Sequence, residues 1–281
     1  MIKAHIEGDC MEDTKQLYLD LMKGALTYLI YGQEEFMPAQ RPRDFVRRFV
    51  FDALNRKNIV PMRRLPANLE NRLEGRDWPA VGLTMIGMKR LNQLQECAED
   101  VLAHNVPGDF IEAGTWRGGA AIFLRAILKA HGVGDRNVWV ADSFEGLPPP
   151  HVKKYPADGG NYDYTSPILA VPLEQVKRNF ARFGLLDGQV HFVKGWFRDT
   201  LPGLHDKKWS VIHLDGDMYE STMDGLKHLY PNLSVGGYVV IDDYGGLECC
   251  REAVHDYRNA NKVNEEIQKV DWTGVYWRRL K

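Results

Sequence analysis

An α/β fold built on a mostly parallel sheet is what this sequence predicts, and three observations carry that expectation. From Asp109 onward, short apolar runs rich in β-branched residues alternate with segments of helix length. A glycine-rich turn, IEAGTWRGG at 111–119, ends the first such run. Acidic residues close three of the runs, at Asp142, Asp215 and Asp242–Asp243. In parallel sheets, ligands collect beyond the carboxyl ends of the strands, near the point where strand order reverses.

Taken in order, the first element is a helix over 13–31, with Tyr18, Leu21, Met22, Ala25, Leu26, Leu29 and Ile30 on one face and Gly32 as its stop. Asp13 and Gln16 have the spacing of a capping box. The arginine-rich stretch from Arg41 to Arg64 reads as a helical hairpin with a solvated charged face. An RNA-binding patch is the weaker alternative there, since no RNA-binding motif accompanies it. Strands follow at 109–113, 137–142, 190–194, 209–215 and 237–243, with a last pair near 267–270 and 275–279. The helices between them cover 118–131, 173–183, 219–229 and 247–259. This pattern divides the chain into a helical cap and lid over 1–105 and a catalytic sheet domain over 106–281.

Composition narrows the class. The chain has 281 residues, 44% hydrophobic and 26% charged, with a net charge of −2. That balance suits a globular protein and points to neither nucleic acid nor an anionic membrane. Its four cysteines form no CxxC pair and read as the reduced thiols of a cytoplasmic protein. The N-terminus has charges where a signal peptide needs an apolar run, and no stretch approaches the roughly 20 apolar residues of a membrane helix.

At the glycine turn, Gly114 allows a tight bend, and Gly118 and Gly119 let a helix begin close to a ligand. The turn lacks GxGxxG spacing and carries Glu112 at the strand end, which suits a sulfonium cofactor with a positive charge and an amino acid tail. Asp142 stands 28 positions after Gly114, where a carboxylate accepts from both hydroxyls of a ribose. Trp196 either walls an adenine or joins the core.

Asp215, Asp242 and Asp243 end neighbouring strands, and carboxylates so close repel unless a cation sits among them. An all-oxygen ligand set suits Mg2+. Asp217, two residues past Asp215, is placed either to take a proton from an acceptor hydroxyl or to serve as a turn residue. His213 reads as a buried hydrogen-bonding residue. Ser143, Ser210 and Ser221 lack a GxSxG context, and Cys249 and Cys250 read as packing residues.

At these motifs the sequence resembles the macrocin O-methyltransferase (TylF) family, which includes the novobiocin-pathway sugar methyltransferase type. The matching stretches are LYLDLMKGAL (17–26), GRDWPAVGLTMIGMKRL (75–91), GDFIEAGTWRGGAAIFLRAILKAHG (108–132), VWVADSFEGLP (138–148), GWFRDTLP (195–202), HLDGDMYEST (213–222) and GGYVVIDDYG (236–245). The resemblance implies a class I S-adenosylmethionine-dependent methyltransferase: a Rossmann-like, mostly parallel seven-stranded sheet with an N-terminal helical cap and lid. It further implies Mg2+ held by Asp215, Asp242 and Asp243, with Asp217 as general base. Cofactor contacts are implied from Glu112, Gly114, Thr115, Arg117, Gly119, Asp142, Ser143 and Asp215. The TMIG segment resembles the family's lid, which brings Thr84 and Met85 over the cofactor. The acceptor so implied is a sugar hydroxyl on a secondary metabolite of macrolide or aminocoumarin type, and the assembly a homodimer. A catechol-type phenol is the rival acceptor within the same chemistry, and an NAD-dependent oxidoreductase the rival of another class. The loop over 151–171 is the segment least covered, with Tyr155, Tyr162 and Tyr164 available to line an acceptor pocket.

Overall fold

A computed structural model of the chain describes residues 2–32, 34–66, 68–160 and 163–281. In chain order the elements are α1 (Ile2–Leu26), β1 (Glu34–Pro38), α2 (Phe45–Arg56), β2 (Met62–Pro66), α3 (Leu69–Glu74), α4 (Gly87–Ala103), β3 (Asp109–Ala113), α5 (Gly119–Ala130) and β4 (Val138–Asp142). They continue with α6 (Leu173–Arg182), β5 (Val190–Lys194), α7 (Phe197–Thr200), β6 (Trp209–Leu214), α8 (Tyr219–Leu229), β7 (Leu233–Ile241), α9 (Glu248–Asn261), β8 (Gln268–Lys269) and β9 (Val275–Arg278).

Seven strands form one sheet in the order β5-β4-β3-β6-β7-β9-β8. The first five pair in parallel, and β9 pairs antiparallel with both β7 and β8. This is the Rossmann-like sheet of class I methyltransferases. Strand order reverses at β3, so the ends of β3 and β6 open the crevice where ligands of such sheets bind. Every residue of β6 is buried, as a central strand covered on both faces requires.

Two apolar layers flank the sheet. On one face α5, buried from Gly119 to Leu128, packs with Leu91, Leu94 and Val101 of α4 and Val176 and Phe180 of α6. On the other, Leu226 and Leu229 of α8 and Val254 and Tyr257 of α9 cover Ile212, Val239 and Trp277. Leu19, Met22 and Leu26 of α1 join the first layer, which seats the N-terminal helix on the sheet unit. No helix among the described residues is long and apolar enough to cross a membrane.

The N-terminal third departs from expectation. Helix α1 begins at Ile2, so Asp13 lies inside it and makes no capping box. Lys3, Ala4, Glu7, Met11 and Glu12 ahead of Asp13 are good helix formers, and the helix has already begun there. The same helix stops at Leu26, five residues early: the Thr27 hydroxyl turns back onto Lys23 O at 2.8 Å and Tyr28 is left-handed at φ 66°. A 3-10 turn then spans Leu29–Tyr31. The buried face is Leu19, Met22 and Leu26, while Leu21 remains 52% exposed. In place of a helical hairpin, the basic stretch holds one helix inside a two-stranded ribbon, β1 antiparallel to β2. Pro38, Pro42 and Pro61 interrupt any second helix, and Asp44 caps α2 by accepting from Arg47 N at 2.9 Å.

Candidate active site

The strand ends expected to carry chemistry converge. At the switch point, Gly114 adopts φ +92°, and a Cβ there would collide with the carbonyl of Asp215. Only glycine lets the β3 and β6 ends approach this closely. Asp142 closes the neighbouring strand. Its Oδ2 accepts from Thr115 N at 2.7 Å and its Oδ1 from Phe144 N at 2.6 Å. Burial raises its carboxyl above the ordinary range. Ser143 is tied into the following turn, donating to Gly146 O at 2.7 Å.

Two connected hollows meet at Gly114, Asp142 and Asp215. One is a recess of about 450 Å³ walled by Ser143, Leu147, Trp196 and Phe197. Trp196 therefore stands half-buried in a cavity wall, outside both apolar layers. The other is a cleft of about 1120 Å³, open to solvent, floored by Asp215, Asp217, Asp242 and Asp243. Met85, Arg76, Trp78, Trp116 and Trp272 stand around it.

In the cleft floor, one carboxylate oxygen from each of Asp215, Asp242 and Asp243 lies within 4.8 Å of the others. Burial, then the neighbouring aspartate charges, pushes the Asp215 and Asp243 carboxyls well above the ordinary range. Asp242 behaves differently. Burial opposes its ionisation, but the Arg90 guanidinium and His213 outweigh this and hold it below the ordinary range. Its Oδ1 is buried with no hydrogen-bond partner. Three converging carboxylates, one of them with a buried oxygen that accepts no hydrogen bond and meets His213 Nε2 only at 3.8 Å, offer a hard cation a donor set of oxygen alone. The residues present thus fit Mg2+.

Asp217 follows on a turn at φ 57°, a conformation L-residues seldom adopt. Its backbone N–H donates to Asp243 Oδ2 at 3.0 Å, which fixes the turn against the carboxylate cluster. Burial, then the charges of Asp242, Asp163 and Asp142, pushes its carboxyl up to about 7.

Other expected residues lie behind the surface of the site. Glu112 is buried, with Oε2 accepting from Thr115 Oγ1 at 2.8 Å and Ala121 N at 2.9 Å. Its Oε1 lies 3.2 Å from His213 Nδ1. Burial opposes protonation of that histidine, while Asp242 and Glu112 on either side favour it and raise it to about 9. Arg117 lies over the Trp116 ring at 4.1 Å and donates to the carbonyls of Pro79, Ala80 and Gly82 at 3.1, 3.0 and 2.8 Å. Glu35 of the ribbon holds the same segment from its N–H side, accepting from Ala80 N at 2.5 Å and Val81 N at 3.3 Å. Gly119 N donates to Leu83 O at 3.0 Å, and a Cβ on Gly119 would come 2.6 Å from Thr84 Cβ. The 79–85 segment is thereby seated at the start of α5, with Thr84 buried and Met85 on the cleft.

Of the 151–171 loop, Asp163 and Leu169 line the cleft. Tyr155 instead packs on Tyr219, ring centroids 5.5 Å apart, and Tyr162 lies outside the described residues. The sequence reading passed over Glu35, Arg90, Asp271, Trp78 and Trp272. For Arg90 a signal existed: it continues the stripe Leu94, Cys97 and Val101 on α4, a charge where the helical period calls for an apolar residue.

The chain is similar to known O-methyltransferases over most of its length. A family model described as macrocin-O-methyltransferase (TylF) matches residues 15–279. The 8-demethyl-8-(2,3-dimethoxy-alpha-L-rhamnosyl)-tetracenomycin-C 4'-O-methyltransferase of Streptomyces olivaceus is 49% identical over 268 residues, covering 95% of this chain and 94% of that one. The demethyldecarbamoylnovobiocin O-methyltransferase of Streptomyces niveus is 46% identical and covers 94% of each. Among solved structures, the O-methyltransferase NovP superposes with a TM-score of 0.81 at 44% identity, covering 95% of this chain and 100% of that one.

Proposed function

The chain belongs to the macrocin-O-methyltransferase (TylF) family of S-adenosylmethionine-dependent O-methyltransferases, and from that premise we propose that it methylates a sugar hydroxyl of a glycosylated secondary metabolite, of macrolide or aminocoumarin type. One observation carries the reading: Asp217, held on its turn by Asp243, lines the same cleft as the three clustered carboxylates. The Streptomyces olivaceus relative acts on a rhamnosyl-bearing compound, which supports a sugar as the acceptor. Trp78 and Trp272 line the cleft and supply apolar surface for such a ring.

In this reading Asp215, Asp242 and Asp243 hold Mg2+. When bound, the cofactor supplies a methyl group on a sulfonium, and the metal supplies Lewis acidity that makes the acceptor hydroxyl easier to deprotonate. Asp217 takes that proton on its carboxylate. Asp142, with two acceptor positions already filled by backbone N–H groups, offers its remaining lone pairs to the ribose hydroxyls. Ser143 and Trp196 line the adenosine recess, and Gly114, Thr115 and Asp215 border the amino acid tail. Glu112 acts by holding Thr115 and the start of α5 in place. Arg117 and Gly119 seat the 79–85 segment, which Thr84 anchors against α5 and from which Met85 faces cofactor and acceptor. Together these residues align acceptor oxygen and methyl group and exclude water, which lowers the barrier to a displacement.

Isothermal titration of metal-stripped protein tests the assignment. Adenosylhomocysteine is expected to bind, Mg2+ to bind in its presence, and Asp243→Ala to lose Mg2+ affinity while retaining adenosylhomocysteine. Equal Mg2+ affinity in the variant removes Asp243 from the ligand set. For the acceptor, methyl transfer to a rhamnosylated polyketide with none to its aglycone is the expected result, and the reverse preference overturns the sugar reading.

A further inference from the structure

Beside the three clustered carboxylates, on the wall of the same cleft, lies a buried cation that the chemistry above does not use. Arg90 of α4 is 3% exposed. A guanidinium taken out of water is costly unless its donors are engaged, and here they are. Nη1 donates to Asp242 Oδ2, Nε to Asp271 Oδ2 at 3.0 Å, and Nη2 to Gly75 O at 3.0 Å. The stem of the side chain lies against Gly274, where a Cβ would come 2.8 Å from Arg90 Cδ.

Asp271 is itself fixed. Its Oδ1 accepts from Thr273 N at 3.0 Å and Gly274 N at 2.8 Å, closing the turn between β8 and β9. From that turn, the Thr273 hydroxyl donates to the carbonyl of Asp242 at 3.0 Å and accepts from Gly246 N at 3.0 Å. Asp242 is therefore gripped twice, through side-chain Oδ2 by Arg90 and through its backbone by Thr273. Its other oxygen, Oδ1, has no hydrogen-bond partner, and the nearest cationic nitrogen paired with it, His213 Nε2, stands 3.8 Å away.

We infer that Arg90 and Asp271 are positioning residues for the metal, occupying one oxygen of Asp242 so that the orphaned Oδ1 is the atom offered to Mg2+. This rests on the reading of Asp215, Asp242 and Asp243 as ligands. Two oxygens of one carboxylate are chemically equal, and a free Asp242 would rotate between them. Arg90 removes that freedom, and Asp271 with Gly75 O fixes the plane of the guanidinium. Lysine cannot replace it, because one ammonium on a flexible stem does not span three partners in fixed directions.

The test uses the full-length chain with Arg90→Met, Asp271→Asn and Thr273→Val, each titrated with Mg2+ at saturating adenosylhomocysteine. Loss of such outer partners weakens metal binding by about 10–100-fold in general. That loss is expected in Arg90→Met and Asp271→Asn, with adenosylhomocysteine affinity within about twofold of wild type. Raising Mg2+ by the same factor should restore the rise in Tm that Mg2+ gives the wild type, which a merely structural defect would not allow. Thr273→Val deletes one hydroxyl and keeps the shape. It probes the backbone grip alone, and Asp271→Asn, which keeps the side chain's size, carries the test if Arg90→Met fails to fold. Folded variants that bind Mg2+ as tightly as wild type overturn the positioning role alone. A wild type that binds adenosylhomocysteine but no Mg2+ overturns the ligand set and this inference with it.

Discussion

Asp217 shows how much of the chemistry one residue's surroundings decide. A carboxylate in water is a feeble base near neutrality, but burial and then the charges of Asp242, Asp163 and Asp142 lift this one to about 7. Only the ionised form accepts a proton, so kcat/KM is expected to rise with pH and level off above the Asp217 titration. A bound cation favours the ionised form, so the rising limb lies at or below pH 7 in the metal-loaded enzyme. Asp217→Asn should lose about 10²–10⁴-fold in kcat and the rising limb, with unchanged cofactor affinity by titration. At this scale the sequence was informative wherever a residue's position along a strand fixed its place. Asp142, Asp215, Asp242 and Asp243 follow strands that the apolar runs delimit, so their convergence was legible. Arg90 was legible only as a charge on the apolar stripe of α4, with nothing to name its partners, and Asp271 reads locally as an ordinary turn residue.

Among the elements, two connections are decisive. The first is the β3–α5 turn. Gly114→Ala would force a side chain into the left-handed region and against Asp215, at a cost of about 1–3 kcal/mol from the backbone alone. Urea unfolding should show that loss, together with weakened adenosylhomocysteine binding, since the same turn borders the cofactor hollow. The second is the 79–85 segment, whose N–H groups end on Glu35 and whose carbonyls end on Arg117. Arg117→Ala should leave the fold intact while hydrogen exchange quickens over 80–86. Unchanged exchange would show that Glu35 and the Leu26 carbonyl, which accepts from Leu83 N at 2.7 Å, suffice to hold the segment. The strands and helices from Asp109 onward were legible because period-2 and period-3.6 patterns are strong there. The ribbon of β1 and β2 was not, because five-residue strands beside arginines carry little periodicity, and Glu35 is buried only once its distant partners arrive.

For the whole molecule, the carboxylate cluster is a local strain that binding should relieve. Asp215 and Asp243 are pushed upward by burial and by their neighbours' charges, which a divalent cation would offset. Mg2+ with adenosylhomocysteine should therefore raise Tm more than adenosylhomocysteine alone, by an amount that grows with ligand concentration. Chelation should reverse the difference, and a Tm indifferent to Mg2+ would count against a metal in the cluster.

By itself the sequence determined the class of sheet, the turns that end its strands, and which carboxylates meet at them. Those features depend on the order and spacing of residues close along the chain, where backbone geometry dictates which side chains share a face or an end. The tertiary structure alone decided how the buried charges are satisfied. Arg90 and Asp271 are 181 positions apart, and Glu35 lies 45 from Ala80. A buried ion is tolerable only when its partners are present, and those partners are chosen by proximity in the fold, which no local pattern records.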